Sequence, residues 1–162
     1  MRDYHSPGYL VIWLSFLAAI LLYIFPWPKQ LLLFQPSWLL LIMIYWIVSL
    51  PYLVNIGTGF IIGFIIDLLY GSTLGIHALA FSVVAYLVAQ NFCQFNRIKL
   101  YQQVIVVIGF SWVADIIIYF IELLFIRIAF FAEHIWNGLI NGIVWPWLYL
   151  LMKRICNRFS VL

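Results

Sequence analysis

Three acidic residues lie inside otherwise apolar stretches, where a carboxylate can carry a proton or make a buried polar contact. Asp67 lies in the stretch 55–80, whereas Asp115 and Glu122 are seven residues apart in a later stretch, on one helical face. An acid at the centre of a membrane helix costs about 2.5–3.5 kcal/mol. Asp67 is therefore either a proton or ion site, or a structural residue whose carboxylate binds free N–H groups of the next helix. We favour the structural interpretation, because one acid is not a relay.

Two asparagines in the last apolar stretch extend this polar set. Asn137 and Asn141 are four residues apart and share a helical face. We expect hydrogen bonds between this face and the Asp115–Glu122 face, with His77 nearby. The alternatives are that each group finds its own backbone or water partner, and that the groups line a substrate cavity.

Motifs for other chemistry are absent from the sequence. Its histidines form neither H-x-x-x-H nor H-E-x-x-H, and it has no G-x-S-x-G and no phosphate-binding glycine loop. Pairing of Ser111 with His77, as in an intramembrane protease, stays open by spacing alone. Cys93 and Cys156 form no C-x-x-C motif and are expected to be free thiols. We therefore expect no catalytic residue, cofactor or metal.

Small residues at helical spacing predict a closely packed bundle. Gly59, Gly63 and Asp67 follow one another at intervals of four and so share a face. Glycines at this spacing allow close approach of membrane helices. The residues expected to pack helices or bind a partner are Gly57, Gly59, Gly63, Asp67, Gly71, Gly75, Asp115, Glu122, Asn137, Gly138, Asn141 and Gly142.

Composition places this chain in a membrane. Of its 162 residues, 67% are hydrophobic and only 8% are charged, and the mean hydropathy is +1.13. A soluble domain of this size cannot bury so much apolar surface. We predict an all-α integral membrane protein, a compact bundle in a single transmembrane domain covering residues 1–162. Its six spans are expected at about 9–25, 31–50, 54–70, 74–92, 103–126 and 135–152.

The basic residues predict the orientation of these spans. With both termini in the cytoplasm, the inside segments hold six of the eight Lys and Arg residues and the outside segments hold two, Lys29 and Arg127. This distribution agrees with the positive-inside rule. We therefore attribute the net charge of +3 to the orientation of the spans in the membrane. No nucleic-acid partner is expected, because the basic residues form no stripe.

The sequence also resembles the MreD family of rod shape-determining proteins, in its proteobacterial branch. The most specific block runs N-I-G-T-G-F from Asn55, through Gly63 and Asp67, to G-S-T-L-G at 71–75. Further matching pieces are P-S-W-L-L at 36–40, V-I-W-L-S-F-L at 11–17, P-W-P at 26–28, N-G at 141–142 and W-P-W at 145–147 before a basic tail.

This resemblance implies a non-enzymatic scaffold of the bacterial inner membrane, within the cell-elongation (rod) complex or elongasome. MreD-like proteins bind the single-span protein MreC and act with MreB, RodA and its cognate penicillin-binding transpeptidase in lateral-wall peptidoglycan synthesis and rod shape. The family is also similar in fold to the S components of vitamin transporters. No catalytic residues carry over. The alternative is a small-molecule-binding subunit of the S-component type, although the first span has only Ser15 and Ala19 in place of an A-x-x-x-A docking face.

Overall fold

A computed structural model describes residues 7–26, 28, 35–71, 74–125 and 131–158 of the chain. Within these residues the protein forms six α-helices and no strand. The helices are α1 (Pro7–Ile24), α2 (Trp38–Ser49), α3 (Ile56–Tyr70), α4 (Ile76–Arg97), α5 (Leu100–Phe125) and α6 (Phe131–Arg158).

Local sequence fixes both ends of α3. Asn55 caps its start: the Asn55 side chain accepts from the amide of Gly57, and the Thr58 hydroxyl accepts from the amide of Asn55 at 3.0 Å. These contacts satisfy groups that have no partner within the helix. Gly71 ends α3 with φ +62°, and Gly75 precedes α4 with φ +105°. Both values lie where glycine avoids the cost of a Cβ, so the α3–α4 turn requires glycine at both positions.

Successive helices run in opposite directions. In the α1–α2 pair, Trp46 late in α2 donates to Ser15 at the middle of α1, whereas Gln35 before α2 donates to the carbonyl of Tyr23 late in α1. In the α5–α6 pair, Gly138 early in α6 lies against Trp112, whereas Trp145 further along α6 lies beside Gln103, near the start of α5. The starts of α1, α3 and α5 therefore lie at the same end of the bundle as the ends of α2, α4 and α6.

The shortest helix, α2, lies at the centre of the bundle. Ten of its twelve residues, Leu39 to Val48, are buried. Helices α1, α4 and α6 pack around α2, while α3 packs on α4, and α5 packs on α4 and α6. Twelve residues make a helix about 18 Å long, shorter than the roughly 30 Å hydrocarbon core of a bilayer. Burial inside protein allows such a short helix at membrane depth.

The six helices lie close to the six predicted stretches, but four of the predicted bounds differ from the ends of the helices. Most of the segment 93–102, which lies between the fourth and fifth predicted spans, is helical: α4 continues to Arg97 and α5 already begins at Leu100. Polar side chains near the end of α4 bond to the backbone of the same helix. The side-chain nitrogen of Asn91, for example, donates to the Leu87 carbonyl at 2.9 Å. Likewise α6 begins at Phe131, earlier than predicted, and continues to Arg158. The segment 31–34, predicted within the second span, lies outside the described residues.

By length and composition alone, two described helices are long and apolar enough to cross a membrane. They are Ile76–Arg97 and Leu100–Phe125. Three shorter apolar helices are Tyr9–Ile24, Trp38–Ser49 and Ile56–Leu69.

Candidate functional site

The carboxylate of Asp67 is fully buried and binds the start of α4. Its Oδ2 accepts from the amides of Gly75 at 2.8 Å and Ala78 at 3.4 Å. Its Oδ1 accepts from the amide of His77 at 3.1 Å and lies 2.8 Å from Nδ1 of the same residue. The contact expected under the structural interpretation is therefore observed: the carboxylate binds the N-terminal amides of the next helix.

This arrangement, the Asp67 clamp, follows from two properties of a helix start. The first four N–H groups of a helix have no partner within it, and the aligned peptide dipoles attract negative charge there. One carboxylate satisfies two of these amides in α4, those of His77 and Ala78, together with the amide of Gly75 before the helix, and it binds the imidazole of His77, which is only 17% exposed. The clamp joins α3 to α4 immediately after the turn and satisfies polar groups that lipid cannot hydrate.

The glycine face of α3 packs against α4 of the same chain. A Cβ added to Gly63 would collide with backbone atoms of His77 and Ala78. A Cβ at Gly59 would lie 3.0 Å from the carbonyl oxygen of Phe81 and 3.0 Å from the Cβ of Ala85. The helix-packing role expected for these glycines is observed, but this face is covered by α4, which corrects the expectation that a partner helix docks there.

The second glycine pair on a helix is also internal. A Cβ at Gly138 would collide with the indole of Trp112, and one at Gly142 with the side chain of Ile108. Both contacts are with α5. This pair therefore packs α6 against α5 and leaves no small-residue groove for another chain at these two positions.

The remaining glycine candidates do not pack helices together. A Cβ at Gly71 or Gly75 would meet nothing within 4 Å, so the prediction that this pair packs helices is wrong. Their role is the backbone conformation of the turn. Gly57 is exposed beside the Asn55 cap, where a Cβ would meet only the Asn55 side-chain oxygen, at 3.4 Å.

The two asparagines of α6 bind partners that the sequence did not indicate. Asn141 is fully buried; its side-chain oxygen accepts from the amide of Ser37 at 2.8 Å, and its nitrogen donates to the Ser111 hydroxyl at 3.0 Å. Asn137 donates to the Ser37 hydroxyl at 3.0 Å. The polar face of α6 thus joins the start of α2 to α5. The asparagines therefore bind Ser37 and Ser111, where Asp115 and Glu122 were expected as partners. His77 bonds to Asp67.

Asp115 is 7% exposed, and its Oδ2 has no hydrogen-bond partner within the part of the chain that the structure describes. Glu122, expected on the same face, is half-buried two turns further along α5.

The open alternative that paired Ser111 with His77 is wrong. The Ser111 hydroxyl accepts from Asn141, while the His77 imidazole lies against Asp67.

A third internal contact, at Gln103, was missed from the sequence. Gln103 is 4% exposed; its amide nitrogen donates to the carbonyls of Phe95 at 3.3 Å and Ile98 at 3.4 Å. Its oxygen accepts from the indole N–H of Trp145 at 3.5 Å. A glutamine near a helix start is typical of an exposed position. The only sequence signal for its burial was its place between two long apolar stretches.

One apolar groove lies between α1 and α3, on the outside of the bundle. The residues that line it are Tyr9, Ile12, Trp13, Phe16, Leu53, Val54, Thr58, Ile61 and Ile62. Helix α1 packs mainly on α2, which leaves this side of α1 uncovered. Trp13 and Ile61, at 58% and 50% exposed, form the open edges. The groove lies toward the starts of α1 and α3, the end where the basic residues of α4 and α6 are found.

Within the described residues, no group of three or more His, Cys, Asp or Glu side chains could hold a metal ion. Cys93 is exposed and Cys156 is buried, and both are free thiols. The chemistry of the site is therefore hydrogen bonding between helices within one chain, with an apolar groove outside.

Comparison with known proteins identifies the family. The family model of the rod shape-determining protein MreD matches residues 4–155. The rod shape-determining protein MreD of Haemophilus influenzae is 34% identical over 146 residues, which cover 90% of each chain. No solved structure matches the chain. These two matches establish that the chain is a membrane protein of the MreD family of rod shape-determining proteins.

Proposed function

We propose that this protein is a non-enzymatic scaffold of the inner membrane that binds the transmembrane helix of an MreC-type partner. The proposal places it in the cell-elongation complex, where it supports lateral-wall peptidoglycan synthesis and rod shape. The proposal is carried by one observation, which is the difference between the faces of the bundle that are in contact within the chain and the one that lies open. Among the described residues, the small-residue faces and most buried polar groups are used within the chain, whereas the apolar groove between α1 and α3 lies open on the outside.

The groove fits a membrane helix better than a polar ligand. The polar groups of its lining are the hydroxyls of Tyr9 and Thr58 and the indole N–H of Trp13, and all the other lining side chains are apolar. Membrane helices associate through van der Waals packing, because lipid tails are as apolar as the helices themselves. A groove between two helices that run in the same direction offers side chains from both to one inserted helix.

The proposed topology has six spans with both termini in the cytoplasm. The alternating helix directions put the start of α1 and the end of α6 at the same end of the bundle, which supports this topology. Exposed Arg97, Lys99, Lys153, Arg154 and Arg158 lie at that same end. The positive-inside rule assigns it to the cytoplasm. A fold like that of vitamin-transporter S components is part of the proposal and is tested by superposing an experimental structure.

Co-purification tests the groove. The chain is expressed with a tagged MreC-type partner and purified in detergent, with Ile61→Trp as the groove variant and Ile105→Trp as the matched control. Ile105 is 67% exposed on α5, so both changes add an indole to an exposed helical position. We expect Ile61→Trp to lower recovery of the partner at least tenfold and to give round cells in a strain that depends on the variant. Equal recovery with both variants would remove the groove from the interface.

The remaining partners are assigned through the complex. We propose that MreB, RodA and its transpeptidase associate with this chain either directly or through the MreC-type partner. Their recovery in the same purification should fall together with that of MreC in Ile61→Trp. Retained RodA after loss of MreC would indicate a separate contact.

A further inference from the structure

All the basic residues of the described chain lie at one end of the bundle, and all are exposed. They are Arg97, Lys99, Lys153, Arg154 and Arg158, which we call the basic end. The acidic side chains whose positions the structure describes, those of Asp67, Asp115 and Glu122, belong to the opposite half of their helices. No ion pair is formed by these five cations with another described residue.

The last turns of α6 carry three of these charges beyond its apolar part. Met152 and Cys156 are buried on one face of α6, while Lys153, Arg154 and Arg158 are exposed on the others. Arg154 and Arg158 are one helical turn apart and so lie on the same side. The helix thus ends in a cationic extension.

The other two charges are held near α6 by buried contacts. Arg97 ends α4 and Lys99 precedes α5, on either side of the carbonyl of Ile98 that Gln103 binds. Gln103 also accepts from Trp145 of α6, and the ring of Phe95 lies edge-on to Trp145 with centroids 5.9 Å apart. These contacts fix the α4–α5 corner against the middle of α6, at Trp145, and Lys153 follows eight residues later on the same helix.

We propose that the basic end binds the phosphate headgroups of anionic phospholipids. This inference rests on the membrane orientation of the proposed function but not on any protein partner. Exposed cations without a counter-charge attract an anionic leaflet surface, and an Arg guanidinium can bind phosphate oxygens through two parallel hydrogen bonds. Lys153 lies over the ring of Tyr149, 5.9 Å from its centroid, so the ring and the charge form part of the same interfacial surface.

Titration of the purified full chain with phospholipids tests this. Nanodiscs of zwitterionic phosphatidylcholine containing the protein receive increasing phosphatidylglycerol, and bound lipid is counted by native mass spectrometry after release. The variant is Arg154→Gln with Arg158→Gln. The control, Lys29→Gln with Arg127→Gln, removes the same charge from the segments that join α1 to α2 and α5 to α6.

We expect the Arg154→Gln/Arg158→Gln variant to bind phosphatidylglycerol about 25-fold more weakly, at about fivefold for each charge removed. The control should bind as the unchanged protein does. Equal binding by the two variants, or binding of inorganic phosphate as tight as that of phosphatidylglycerol, would overturn the assignment. Recovery of the MreC-type partner separates the proposals, since it should be unchanged in this variant and lost in Ile61→Trp.

Discussion

Replacement of Asp67 offers the sharpest test of how the bundle is held together. In Asp67→Ala the amides of Gly75, His77 and Ala78 lose their acceptor, as does the His77 ring. A buried donor left without a partner costs about 1–3 kcal/mol. Some of these amides can shift toward other acceptors, so we expect a total loss of about 4 kcal/mol in the free energy of unfolding.

Two further substitutions grade this effect. Asp67→Asn keeps the shape and one acceptor oxygen but replaces the other oxygen by a donor that faces N–H groups, so we expect a loss of about 2 kcal/mol. His77→Ala removes only the ring contact and leaves the three amide bonds, for a loss of about 1 kcal/mol. The expected order of destabilisation is therefore Asp67→Ala, then Asp67→Asn, then His77→Ala.

The assay is equilibrium unfolding of the purified protein in mixed micelles, followed by tryptophan fluorescence and far-ultraviolet circular dichroism. Partner recovery is measured in parallel under conditions where each variant is at least nine-tenths folded. A structural clamp predicts that folded Asp67→Asn binds its partner normally. A surface substitution usually changes the free energy of unfolding by at most about 0.5 kcal/mol. A change no larger than this in Asp67→Ala would refute the clamp.

Three further outcomes are expected. Gly63→Ala should destabilise the fold by about 2 kcal/mol in the same unfolding assay, because its Cβ meets the backbone of α4, whereas Gly109→Ala, where a Cβ meets nothing within 4 Å, should be neutral or stabilising by up to about 1 kcal/mol. Asn141→Ala should cost about 2 kcal/mol, since it leaves the Ser37 amide and the Ser111 hydroxyl without a partner; an unchanged midpoint would contradict the polar link between α2, α5 and α6. A maleimide should label Cys93 in the folded protein and Cys156 only after unfolding, as read by intact mass, and equal labelling rates would contradict the burial of Cys156.

The Asp67 clamp could be predicted from sequence because its parts are local. Asp67 is only eight to eleven residues from the amides that it binds, and the two glycines between them leave room for little but a tight turn. The partners of Asn141 could not be predicted in this way. Ser37 is 104 residues away along the chain, and hydropathy gives the existence of two helices but not which faces meet. Helix neighbours are set by the packing of the whole bundle.

The glycine pairs illustrate the same limit. Spacing predicts that Gly59 and Gly63 allow a close approach, but an internal helix and a partner helix require the same pattern. Only the position of α4, whose backbone lies against Gly63, decides between them. The boundary of α4 was misplaced for a different reason. Asn91 and its polar neighbours resemble a loop in composition, although Asn91 bonds to the Leu87 carbonyl and the helix continues past it.

The internal use of polar and small residues has a consequence for partner recognition. Asp67 and Asn141 make their hydrogen bonds within the chain, and both helical glycine pairs pack against neighbouring helices of the same chain. The outer surface of the described bundle therefore offers few directional contacts. For the proposed docking of one partner helix in the α1–α3 groove, we therefore expect selection to depend on shape, with Trp13 and Ile61 as the open edges of the groove. A partner helix with small residues on one face would fit between these edges, because close approach recovers the dispersion contacts that a bulky face would lose. Specificity would then come from which helices can approach closely, and not from a hydrogen bond that the partner must supply.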